Sequence, residues 1–162
     1  MAAEWDRQLF PDEKRTAALA EQREDAVLLR QTARALVAPE KMVFLAPWWL
    51  SPALAYWSGQ KGVAGSSHQS LPGIAESARF YLTDRAATAR AILADHHVHF
   101  VVAYEPSRIL PNSAQILGQT VPRHPMGRIL YNQPSAAPGF LRLVYENRFF
   151  RVYNTAVTAP SP

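Results

Sequence analysis

The chain has 162 residues, a length that suits one domain, and its 48% hydrophobic and 19% charged content exclude a disordered protein. Its 17 basic and 13 acidic side chains leave a formal charge of +4 without a dense Lys/Arg run, which excludes the basic footprint of a nucleic-acid binder. The absence of cysteine removes disulfide scaffolds, thiolate metal sites and a cysteine nucleophile in one step.

Trp5 to Arg15 is charged where a signal peptide needs an apolar core, so an extracytoplasmic placement requires an upstream segment to carry the chain across. Pro11 to Val37 predicts a long helix, with Pro11 suited to a first helical position and Asp12 and Glu13 in the first turn. Leu28, Thr32, Ala35 and Leu36 form one stripe of it, with Leu29 and Ala33 beside them. Arg23, Arg30 and Arg34, interleaved with Glu21, Glu24 and Asp25, read as a solvated face. Residues 1–25 are polar enough to project in part from the body.

Met42 to Gln60 contains no charge, yet Pro47, Ser51, Pro52, Ser58 and Gly59 punctuate it. A buried strand over Met42–Ala46 followed by a short helix from Ser51 or Pro52 through Trp57 accounts for this better than a membrane span. Gly62–Gly65 reads as a second strand. Ser70–Gly73 opens a helix with Ile74, Ala78 and Leu82 on one face. Thr83 or Asp84 caps the next helix, whose Ala87, Ala91 and Ala94 are expected to face inward. Val98–Tyr104 is a third buried strand. Glu105 to Gly139 is rich in proline and reads as irregular, with a strand expected at Arg128–Tyr131. Leu141–Tyr145 and Arg148–Tyr153 form a hairpin about Glu146-Asn147, where Asn147 is expected at positive φ. Residues 154–162 read as a disordered tail.

Strands alternating with helices indicate βαβ units. The expected fold is a single α/β domain over residues 1–153: a three-layer, Rossmann-like domain with a short, mainly parallel sheet, flanking helices and a C-terminal β-hairpin. Ligands in such sheets bind outside the carboxyl ends of the strands. Three loops converge there: Pro47–Ser51, Ser66–Ser70 and Glu105–Arg108. The candidate substrate-binding residues are therefore Trp48, Trp49, Tyr56, Ser66, Ser67, His68 and Glu105, since aromatic faces stack on sugars or peptides while polar edges orient them. The competing reading is that Trp48 and Trp49 cap the core, with Tyr56 and Trp57 packing nearby.

Sharper chemistry is weakly supported. Ser66-Ser67-His68 lacks a nucleophile elbow and an obvious acid. Asp95-His96-His97-Val98-His99 offers either metal ligands or a solvated turn, and the helix end beside it favours the turn. No glycine-rich phosphate loop follows a strand, which argues against a nucleotide cofactor.

Ala46-Pro47-Trp48-Trp49-Leu50, then Tyr56-Trp57-Ser58-Gly59, then Val63-Ala64-Gly65 with His68 after it, resembles the C-terminal domains of membrane-embedded GT-C glycosyltransferases. Oligosaccharyltransferases are the best known of these. Ala78–Leu82, Ala89–Leu93 and Val98–Val102 continue the resemblance, which covers roughly Val37 to Glu105 and the final hairpin. It departs where oligosaccharyltransferases carry Trp-Trp-Asp-Tyr-Gly: Trp48 and Trp49 match, whereas Leu50, Ser51 and Pro52 replace the rest. Leu50 cannot accept a hydrogen bond, which puts sequon gripping by that means in doubt. The resemblance implies an extracytoplasmic domain on a bacterial inner membrane that contributes acceptor or glycan contacts and is not catalytic alone. Its partners would be a transmembrane part of the same polypeptide and a lipid-linked sugar or acceptor peptide, with no nucleic acid. No cofactor would sit in this chain, a divalent metal belonging to the membrane part. The rival function is a protein–protein assembly module that docks through the N-terminal helix or the proline-rich segment and binds no small ligand.

Overall fold

The structure, a computed structural model, describes residues 13–65 and 70–156. The chain runs α1 (Glu13–Arg34), β1 (Val43–Leu45), α2 (Ser51–Ser58), β2 (Lys61–Gly62), α3 (Leu71–Leu82), α4 (Ala86–Asp95) and β3 (Val98–Ala103). Then follow α5 (Pro106–Leu117), α6 (Met126–Asn132), a 3-10 turn (Pro134–Ala136), β4 (Leu141–Glu146) and β5 (Arg151–Thr155). The expected helix start at Pro11 and Asp12 lies outside the described residues, as does the tail beyond Ala156.

The five strands form one sheet in the order β2-β1-β3-β5-β4. β1 pairs in parallel with β2 and β3, while β5 pairs antiparallel with β3 and β4. The parallel half is the βαβ part of the chain and the antiparallel half is the hairpin. From β1 the chain moves to β2 on one side, then crosses to β3 on the other. Right-handed crossovers put α2 on one face and α3 on the opposite one. α1 packs on α2, whereas α3 packs on α5 and α6, which completes three layers. Phe44, Leu45, Val101, Val102 and Tyr153 of the sheet and Leu36, Leu54, Phe80, Leu93 and Ile109 of the helices fill the core.

Local signals explain most boundaries. The end of α1 tightens as the Ala35 and Leu36 amides donate to the Thr32 and Ala33 carbonyls, satisfying acceptors that a helix end leaves free. Gly59 closes α2 at φ 71°, a left-handed conformation that glycine adopts without strain, and its amide donates to the Ala55 carbonyl at 2.9 Å.

Several expectations are corrected. The proline-rich region is mostly helical: Pro106 occupies the start of α5 and Pro125 caps α6, places where a missing amide costs nothing. Pro111 lies inside α5, and the buried Ile109, Leu110 and Ser113 hold that helix to the core despite the lost hydrogen bond. Arg128–Tyr131 belongs to α6 and is no strand. In α4 the buried residues are Ala89, Ile92 and Leu93, while Ala87 and Ala91 are exposed. The large side chains set the helical phase there, and alanine fits either face. The second strand falls at Lys61–Gly62, ahead of the expected Gly62–Gly65. β5 continues through Thr155, where Asn154 pairs with Phe100 and the Thr155 hydroxyl donates to the Val98 carbonyl at 2.5 Å. The hairpin loop spans Asn147–Phe150, and Asn147 is not at positive φ. Instead its side-chain oxygen accepts from the amides of Phe149 (3.1 Å) and Phe150 (2.9 Å), an Asx turn that replaces left-handed backbone.

Candidate functional site

The strand order reverses between β1 and β3, the point where an open α/β sheet leaves a crevice at its carboxyl edge. Pro47 to Leu50 turns there: the Leu50 and Ser51 amides and the Ser51 hydroxyl all converge on the Pro47 carbonyl, at 3.0, 3.1 and 3.1 Å. This turn launches α2 and pushes the two tryptophans outward. Trp48 and Trp49 are half-buried, with ring centroids 6.0 Å apart and planes at 87°. The Trp48 indole Nε1 donates to Asn112 Oδ1 of α5 at 3.0 Å. Together with Ile74 and Tyr81 of α3 they line a narrow crevice of about 10 Å³, the scale of a single water. Its floor is hydrogen-bonded: Ser77 Oγ donates to the Ala46 carbonyl at 2.8 Å and Tyr81 Oη to that of Val102 at 2.6 Å. Burial pushes the Tyr81 phenol well above its usual range. The crevice thus presents two rings over a hydrogen-bonded floor, and its lining among the described residues includes no carboxylate, imidazole or lysine.

On the α1 side of the sheet, a wider cleft of about 420 Å³ opens between that helix and the first turn of α5. Arg108 donates to Tyr104 Oη at 2.5 Å, and that hydroxyl donates to Asp25 Oδ2 at 3.2 Å. Burial, then the Asp25 carboxylate, raises the Tyr104 pKa, so it stays a neutral donor. Glu105 caps α5 beside them, its carboxylate accepting from Ser107 Oγ at 2.7 Å.

The candidate residues are therefore dispersed. Trp48 and Trp49 share the narrow crevice, and Glu105 lines the wide cleft instead. Tyr56 stands on the outer face of α2, 77% exposed, and lines neither. Ser66, Ser67 and His68 lie outside the described residues. Leu50, at the position where the resembling motif has aspartate, is buried in the core. Sequence reasoning placed Arg108 in a converging loop without making it a candidate, and missed Asn112 in the proline-rich stretch; apolar spacing at Ile109, Leu110, Ile116 and Leu117 was the available sign of a helix there. His97 forms the turn between α4 and β3 at φ 50°, with its amide on the Ala94 carbonyl. Among the described residues no three His, Cys, Asp or Glu side chains gather as a metal site.

No family model and no curated protein matches the sequence. Solved structures do. One crystal structure of the C-terminal globular domain of an oligosaccharyltransferase from Archaeoglobus fulgidus superposes with a TM-score of 0.62 at 16% identity, covering 82% of this chain and 95% of that one. A second structure of such a domain from the same organism gives 0.58 at 18% identity, covering 85% and 96%. The fold is that of an oligosaccharyltransferase C-terminal globular domain. At this identity the likeness concerns architecture alone, and it extends over nearly the whole of the archaeal domains. Among the described residues, no helix is long and apolar enough to cross a membrane.

Proposed function

We propose that this chain is a non-catalytic, extracytoplasmic domain of a GT-C-like oligosaccharyl- or glycosyltransferase, where it contributes contacts to the acceptor or the glycan. The observation that carries the reading is the match in fold to oligosaccharyltransferase C-terminal globular domains over 95% of their length. In this reading the catalytic groups and any divalent metal belong to a transmembrane part of the same polypeptide, on the outer face of a bacterial inner membrane. The domain needs no cofactor of its own. Trp48 and Trp49 supply stacking area at the strand-order reversal, where a ligand meets the loops of two strands at once. Ser66, Ser67 and His68, which come after β2 in the sequence, are proposed as the polar contacts of the same ligand.

Calorimetric titration of the domain with acceptor peptides and with glycans tests this. Binding that Trp49→Ala abolishes, with the circular dichroism spectrum and melting temperature of the variant preserved, supports the reading. A folded Trp49→Ala variant of unchanged affinity removes the tryptophan pair from the site. Absence of binding by any peptide or glycan removes the substrate-contact role.

A further inference from the structure

The outer ridge of α2 exposes two amphipathic rings side by side: Tyr56 is 77% exposed and Trp57 44%, packed edge to face with centroids 4.8 Å apart. Soluble surfaces scatter such residues singly, so an adjacent pair on one ridge calls for an explanation. Cations flank the ridge on both sides. On the α1 side, the Arg30 guanidinium lies 4.0 Å from the centre of the Trp57 ring, and a shallow groove runs along Val27, Arg30 and Arg34. On the other side, Lys41 and Lys61 border a second groove beneath Pro52 and Ala55. Lys41 Nζ donates to the Gly59 carbonyl, which anchors its charge at the C-terminal end of α2. Among the described residues Arg30, Arg34, Lys41 and Lys61 form no ion pair, unlike Arg108, Arg148 and Arg151 elsewhere. Glu40 is the acid next to them in sequence.

We propose that the α2 ridge and its basic flanks form a peripheral docking surface for an anionic phospholipid bilayer, with Tyr56 and Trp57 entering the headgroup layer and the four cations meeting lipid phosphates. Tyrosine and tryptophan favour that layer because one end of each ring is apolar and the other hydrogen-bonds. Basic side chains beside it are drawn by the negative surface potential. Arg30 stacked on Trp57 keeps its charge directed outward while covering one ring face. The charge complementarity selects a plane of phosphates over an acidic protein, since cations border the exposed rings on both sides along open grooves. The inference does not depend on the transferase reading.

The test is flotation of the full chain with vesicles of phosphatidylcholine alone and with vesicles containing phosphatidylglycerol, while Trp fluorescence is recorded. The expected result is binding to the anionic vesicles only, weakened by salt and accompanied by a blue shift. Arg34→Glu should weaken it by roughly tenfold or more, because each charge near such a surface contributes about 1 kcal/mol. Tyr56→Ser should weaken it as well; both side chains are exposed, so both variants should stay folded, with Arg34→Glu melting slightly lower because it sets an anion at the C-terminal turn of α1. Equal binding to neutral vesicles, or none to anionic ones, overturns the proposal. Binding to soluble heparin as tight as to anionic vesicles reassigns the surface to a polyanion, and a dimer in sedimentation that Tyr56→Ser dissociates reassigns it to a second copy of the chain.

Discussion

Trp48 and Asn112 are joined by a hydrogen bond of 3.0 Å that ties the turn after β1 to α5, across 64 residues of sequence. Asn112→Ala leaves the half-buried indole without its acceptor and should lower stability by about 1 kcal/mol. Asn112→Asp retains an acceptor oxygen and should recover most of the loss. Urea unfolding, read with the anisotropy of Trp emission, checks both; a silent Asn112→Ala would mean the indole is equally satisfied by water.

Asn147 has a wider role than a turn residue. Its amide nitrogen donates to the Leu28 carbonyl (3.2 Å) and to Thr32 Oγ1 (3.0 Å) of α1, while its oxygen organises the hairpin loop. Asn147→Ala breaks both sets and should cost about 2 kcal/mol or more. Asn147→Asp should rescue the loop but not the link to α1, giving an intermediate midpoint in chemical denaturation.

A Cβ on Gly73 would fall inside van der Waals contact with the Val63 carbonyl oxygen, backbone that cannot swing away. Gly73→Ala should therefore force α3 off the segment after β2 and cost about 1–3 kcal/mol, the scale of an overpacked site. Gly139, with nothing within 4 Å of such an atom, is the control, and Gly139→Ala should melt near the wild-type temperature.

Alkaline stability should be limited by tyrosines. Burial raises Tyr153 from 10.0 to about 12, and its hydroxyl donates to the Leu130 carbonyl at 2.5 Å, a bond only the neutral phenol can make. Below pH 10 the folded and unfolded chains hold this proton alike and the contribution is complete. Between the unfolded value and about 12 the unfolded chain releases it first, so stability falls as pH rises. Tyr153→Phe should start less stable by about 1 kcal/mol and show a shallower loss across the same window. Melting curves at stepped pH, with phenolate absorbance, measure both slopes.

The parallel part of the sheet was legible because a strand buried on both faces leaves a nearly uninterrupted apolar run, as at Val98–Tyr104, where His99 is the one exposed residue of β3. The hairpin was legible through the turn residue Asn147 between two strand-like runs, although Asn147 shapes the loop with its side chain and not with a positive φ. What misled was proline: at a helix start it is as compatible with α5 and α6 as with a loop, and only tertiary burial of Ile109, Leu110 and Leu130 decides. Alanine misled for a related reason, since it carries too little apolar surface to choose a face of α4. The loops after β1 and β3 do emerge at one sheet edge, as their order requires. Their side chains part company there: the tryptophans follow α3 and α5, whereas Glu105 follows Tyr104 toward α1. Strand order sets where a loop emerges, but the face a side chain takes is set by helices many residues away.

The two outermost strands bear on how the domain can live beside a larger assembly. β2 is two residues long and carries Lys61, and β4 has an irregular register between Leu143 and Tyr145, with Arg142 and Glu146 along it. Short, charged or irregular borders do not template a further strand. Both borders therefore disfavour continuous backbone pairing with a neighbouring chain, which leaves helix surfaces and loops as the faces such a chain would meet.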